Sequence, residues 1–169
     1  MSLWNPNTIM DVPPYPPARF DGDPEISAIV RRGDAPEDYA VGTSKFHYLV
    51  DEKTSAGDYG LYRVELGPRA AGAAAHYHKA ISEAFYVLTG GMRLYDGDKW
   101  VDAKQGDFLF VPPGGIHGFR NETDDAAEFL IMFAPGAPRE AYFEGLKHLA
   151  ELTDEQRIEW NQRHDSFFL

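Results

Sequence analysis

The sequence contains no cysteine, and that absence removes several chemistries at once. Disulfides, thiolate nucleophiles, Cys-ligated zinc and iron–sulfur clusters are all excluded. Any metal in this chain must be held by histidine and carboxylate. Positive charge is scarce too: 16 Lys and Arg stand against 27 Asp and Glu, a formal net charge of −11. No basic run exceeds the pair Arg31–Arg32, so neither nucleic acid nor an anionic lipid surface meets a matching stripe. Nothing approaches the ~20 consecutive apolar residues that span a bilayer. The first residues carry no basic charge before Arg19 and no apolar run of signal-peptide length. The expectation is a soluble, cytoplasmic protein with a small-molecule partner, and no nucleic-acid or membrane partner.

What is present describes a globular fold. Hydrophobic residues make up 43% of the 169 positions and aromatics 14%, enough for one domain with a proper core. Residues 1–42 read as an irregular, proline-rich arm, because Pro13, Pro14, Pro16 and Pro17 around Tyr15 exclude regular helix or a central strand. Residues 43–137 read as all-β. Runs rich in β-branched and aromatic residues at 45–50, 61–66, 83–88, 92–96, 100–103, 107–112, 117–121 and 128–133 alternate with turn signals such as TGG, GDK and PGG. That many short strands in so few residues predicts a sandwich or barrel. Residues 138–169 read as a tail of two helices packed on the barrel. Tyr142, Phe143, Leu146 and Leu149 recur at helical spacing, and the T-D-E-Q run from Thr153 is a capping-box pattern that opens the second helix.

The chemistry concentrates in AHYHKAISEAFYVLTGG, residues 75–91. The chain has only six histidines, and two of them stand one residue apart here. On a strand, His76 and His78 share a face and Tyr77 points the other way. Four residues intervene before Glu83, room for a turn that returns the chain, after which Glu83, Phe85 and Val87 share a face. A third histidine, His117, follows the tight turn VPPGG and shares its face with Phe119 and Asn121. Three imidazoles and a carboxylate converging on a barrel interior are costly to bury without a cation.

These segments resemble the two motifs of the cupin superfamily of small jelly-roll β-barrels. The first motif is met by His76, His78, Glu83 and Gly90, and the second by Gly106, Pro112, Gly114, His117 and Asn121. One position departs: Ala70 stands where the first motif begins with glycine, with Gly67 and Gly72 nearby. The resemblance implies an all-β cupin-type barrel holding a divalent transition metal (Fe, Mn, Ni, Cu, Co or Zn) on His76, His78, Glu83 and His117. It also implies an activity similar to quercetin dioxygenase-like cupins, on an aromatic or enol-type small molecule, with Glu83 as the catalytic proton acceptor. The alternatives are a metal-dependent isomerase or lyase on a sugar or keto acid, or a non-enzymatic ligand-binding barrel. Phe85, Phe108, Phe110, Phe119, Phe129 and Phe133 are available for an apolar pocket. Arg63, Arg93 and Arg120 are expected to point outward into salt bridges, His47 to be a surface or satisfied core histidine, and His148 and His164 to be solvated. A homodimer is expected from the family and from the hazard of unpaired edge strands.

Overall fold

The structure, a computed structural model, describes residues 15–169; Pro13, Pro14 and the rest of the expected arm up to residue 14 lie outside the described residues. The chain divides into two compact units, Met1–Val30 and Arg31–Leu169. Residues 15–30 contain no helix or strand. All regular structure described below belongs to the second unit.

That unit is built from antiparallel strands in two sheets. The larger sheet runs in the order β1 (Tyr39–Val41), β2 (Ser44–Val50), β3 (Gly60–Leu66), β10 (Ala127–Ala134), β5 (Ser82–Thr89) and β8 (Phe108–Val111). The smaller runs β11 (Phe167–Phe168), β4 (Ala73–Tyr77), β9 (His117–Arg120), β6 (Gly91–Tyr95) and β7 (Trp100–Lys104). This is the expected all-β jelly roll. Each of the eight strands predicted from sequence is present, and β1, β4 and β11 are additional. The brevity of β1 and β11 explains their omission, since two or three residues carry no readable alternation, while β4 is the strand on which His76 is expected to share a face with His78.

The core follows from strand parity. In β3 the residues Tyr62, Val64 and Leu66 are buried, and in β10 so are Phe129, Ile131 and Phe133. Register pairs Phe129 with Val64 and with Val87, and Ile131 with Tyr62 and with Phe85, so one layer of inward side chains runs across the central strands. Each large side chain fully buried this way contributes roughly 1.5–3 kcal/mol.

Two helices follow β10, as expected: α1 (Arg139–Gly145), continued by a 3-10 turn at Leu146–Glu151, and α2 (Asp154–Arg163). The capping box is present in full, with the Thr153 side chain accepting from Gln156 N and the Gln156 side chain accepting from Thr153 N. Tyr142 and Phe143 of α1 are buried; Phe143 stacks on Phe46 at 4.7 Å and Tyr142 on Trp160 of α2 at 4.9 Å. His164 is half-buried, its ring 4.6 Å from that of Trp160, whereas His148 is exposed beside Glu151. Among the described residues no helix is long and apolar enough to cross a membrane.

Two loop positions set up the site. Gly72, not Ala70, makes the turn before β4: its φ is +59°, and a Cβ there would stand 2.0 Å from the Phe119 carbonyl oxygen. Asn121 ties that turn region to the next. Its buried amide donates to the carbonyls of Leu66, Gly67 and Asp125 and accepts from Thr123. The motif asparagine is therefore a framework residue: removing it would take a side-chain donor from the carbonyls of Leu66, Gly67 and Asp125.

Candidate metal centre

The four residues singled out in the sequence meet between the two sheets. His76 lies in β4, His78 just past its end, His117 opens β9 as the register partner of His76, and Glu83 comes across from β5 in the other sheet. All four are buried, and one ligand atom from each falls within 4.8 Å of the others. Tyr77 turns away and stacks on Phe167 at 5.2 Å, as alternation requires.

The imidazoles are fixed in one tautomer by backbone carbonyls, which can only accept. His76 Nδ1 donates to Ala74 O at 2.8 Å, His117 Nδ1 to Gly115 O at 3.0 Å, and His78 Nδ1 to Asp165 O at 2.5 Å. A neutral ring has one N–H, so each Nε2 is left with a lone pair. Such anchoring is the usual partner of a metal-ligating histidine and also sets the ring's orientation.

Asp165 is the part that sequence reasoning missed. It sits at φ +54° in the turn after α2. There its carbonyl meets His78 while its carboxylate accepts from the amides of Lys79 and Ala80 at 2.9 and 2.8 Å. Strand β11 then pairs Phe167 with Tyr77 and Phe168 with His76, and the Phe168 ring stacks on His76 at 4.9 Å. The tail thus closes over the strand that carries His76 and leads into His78. A backbone acceptor has no side-chain signature, and nothing in the local sequence marks it.

Charge balance tests whether a cation fits. Glu83 Oε2 lies 2.9 Å from His78 Nε2 and 2.7 Å from His117 Nε2. Two ring lone pairs facing a carboxylate oxygen repel unless a positive charge lies between them. Either a proton or a metal ion meets that need, and three nitrogens with one oxygen suit a divalent transition metal. Burial alone would raise the Glu83 carboxyl, but the bonds from His117 and His78 outweigh it and hold the group well below the usual carboxylate range. For His117, burial is the largest single influence and pulls down, but the hydrogen bond to Glu83, the Glu83 charge and the Gly115 carbonyl together pull up by more, so its pKa ends above the ordinary histidine value. Burial and the neighbouring His117 push His76 down to about 4.

A pH dependence follows. The protonated ring binds no metal, so affinity must rise with pH through the titration of His117 in the metal-free protein. Because that pKa is raised, weakening is expected to begin above pH 6.5, the ordinary histidine value, and to proceed by at least roughly tenfold per pH unit on the acid side. His76, near 4, retains its lone pair through most of that range. Chelator competition between pH 8 and 5 checks this; a flat affinity would mean that no imidazole is being displaced from a proton.

The cluster opens into a cavity of about 900 Å³ whose walls include His76, Glu83, Phe119, Phe133, Arg139 and Tyr142. The expected aromatic lining is partly corrected. Phe119 and Phe133 line it, and Phe85 and Phe129 belong to the buried core, but Phe108 and Phe110 are 62% and 58% exposed. In β8 it is Leu109 and Val111 that face inward, which leaves the two phenylalanines on the outer face. The three arginines behave as expected. Arg63 pairs with Glu128, Arg93 with Asp102 and Glu122, and Arg120 with Glu122 while covering the Trp100 ring. His47 is buried against Glu65 at 3.0 Å, satisfied and apart from the cluster.

A two-sheet antiparallel barrel with a buried three-His, one-Glu cluster facing an apolar cavity defines a class of small-molecule site. Residues 62–133 match the family model of the cupin domain, so that stretch of the chain is a cupin domain. Among curated proteins it resembles an uncharacterized protein of Aquifex aeolicus, 39% identical over 61 residues, which are 36% of this chain and 49% of that one. It also resembles a quercetin 2,3-dioxygenase of Bacillus subtilis, 32% identical over 82 residues, 48% of this chain and 24% of that one. The chain thus spans about half of the first relative and a quarter of the second. A solved structure described as a predicted oxalate decarboxylase from Thermotoga maritima shares the fold with a TM-score of 0.58 at 23% identity, covering 64% of this chain and 99% of that one.

Proposed function

We propose that this protein is a metal-dependent dioxygenase acting on an aromatic or enol-type small molecule. The observation that carries the reading is the set of three tautomer-locked Nε2 atoms and one carboxylate opening into an aromatic-walled cavity. The similarity to the quercetin 2,3-dioxygenase supports the choice of reaction.

His76, His78, His117 and Glu83 would hold the metal, which when bound supplies Lewis acidity toward a substrate oxygen and, if redox-active, electron exchange with dioxygen. The chain does the rest. The carbonyls of Ala74, Gly115 and Asp165 hold the rings in place, so no reorganisation is needed when substrate enters. Phe119 and Phe133 offer flat apolar surface to an aromatic body and keep water from it. Glu83, ionised at neutral pH, accepts the proton of the substrate's hydroxyl; to do so it must swing one oxygen away from the imidazoles, because a ligated carboxylate is a weak base.

A second reading, isomerase or lyase chemistry on a keto acid, draws support from Arg139 on the same cavity wall. Both readings are tested on untagged protein purified without chelator or a nickel column. Near-stoichiometric iron, manganese, nickel or copper together with oxygen uptake on flavonols or other enolisable aromatics is the expected result. Stoichiometric zinc with no oxygen uptake would overturn the dioxygenase in favour of proton-transfer chemistry or ligand binding.

A further inference from the structure

The cavity holds a cation to which the dioxygenase reading gives no role. Arg139, the first residue of α1, is 4% exposed, yet among the described residues it forms no ion pair with any carboxylate. Its Nη1 donates to His164 O at 2.7 Å and lies 3.5 Å from Ser166 Oγ, while its buried Nε has no hydrogen-bond partner at all. The guanidinium is held against aromatic faces, 4.2 Å from the Tyr142 ring centre and 4.9 Å from that of Phe133. A buried charge without a counter-ion is costly, and stacking recovers only part of that cost.

Its neighbours sharpen the contrast. Arg157, also on the cavity wall, is engaged by Asp154 and by the carbonyls of Leu149 and Leu152. Glu83, the nearest functional carboxylate on that wall, is taken by His78 and His117. A second polar atom on the same wall, Asn161 Oδ1, is also buried without a partner. Arg139, with an orphan donor, and Asn161, with an orphan acceptor, are therefore both residues of one apolar cavity wall. Guanidinium geometry matches a carboxylate, which takes parallel N–H bonds from it.

We propose that Arg139 is the anchor for a substrate carboxylate, so that the cavity takes a small aromatic or enol acid. The charged end sits on Arg139, a hydroxyl of the ligand can donate to Asn161, and the body extends along Phe133 and Phe119 toward Glu83. This rests on the proposed function only in assigning the same cavity to substrate.

The test compares each of three acids, benzoate, cinnamate and phenylpyruvate, with its neutral amide by calorimetry on the metal-loaded protein. At least one acid is expected to bind tenfold or more tightly than its amide. Arg139→Gln should abolish that preference without lowering metal content, and Arg139→Lys should restore part of it. A preference for no acid, or one unchanged in Arg139→Gln, overturns the proposal. Should Arg139→Gln fail to fold, the wild-type protein decides: a preference that survives removal of the metal supports Arg139, and one that disappears with the metal overturns it. Oxygen uptake is read separately. Carboxylate preference without turnover sinks the dioxygenase and leaves the anchor standing, whereas turnover of neutral flavonols with no such preference does the reverse.

Discussion

Replacing His117 with alanine is expected to cost the protein its metal. The ring has no solvent exposure, its tautomer is set by Gly115 O at 3.0 Å, and its Nε2 stands 2.7 Å from Glu83. Loss of a partner outside the metal's own ligands typically weakens binding about 10–100-fold; loss of a ligand should exceed that range. The substitution also removes one of the two bonds that keep Glu83 ionised in the metal-free protein, so the carboxyl should titrate nearer its ordinary range. Metal content by mass spectrometry after desalting, with chelator competition for affinity, reads the first effect. Stoichiometric metal bound to His117→Ala with unchanged affinity would place the ion somewhere other than this cluster.

Glu83→Gln separates holding from reacting. Glutamine keeps the size and one carbonyl oxygen of the side chain but cannot accept a proton as a carboxylate does. Its amide can instead donate to the Nε2 atoms of His78 and His117, which now lie 2.9 and 2.7 Å from Oε2, so metal affinity should fall while occupancy can be restored with excess metal. At saturating metal, turnover is expected to drop by about 10²–10⁴, the usual contribution of a positioned acid or base. KM should change far less, since the aromatic wall that carries the substrate body is untouched. An unchanged rate with metal retained would remove the base role and leave Glu83 as a ligand alone.

Much of this site could be read from the linear order of residues because strands obey a strict two-residue period. The period by itself places His76 beside His78, Glu83 beside Phe85, and His117 beside Phe119 and Asn121. The same rule sends Arg120 outward to Glu122. Where expectation and structure part, the cause is either register or distance along the chain. Phe108 and Phe110 look like pocket residues by composition, but β8 pairs with β5 so that Leu109 and Val111 take the interior. Arg139 carries no periodic signal, because its burial depends on where α1 lands, on rings contributed by Phe133 and Tyr142. The Asp165 carbonyl contact joins residues 87 apart, and no local pattern encodes a partner that far away.

That last contact also sets an order of events during synthesis. The strands bearing His76, Glu83 and His117 leave the ribosome first, and Asp165 with β11 follows some 30 residues after β10 ends. At 5–20 residues/s that interval lasts roughly 2–6 s. Throughout it the barrel can close, but the His78 ring lacks the acceptor that selects its tautomer, and the edge of β4 is bare. An ion that met the nascent barrel would find three settled donors and one free-turning ring, and only the arrival of the tail would complete the set.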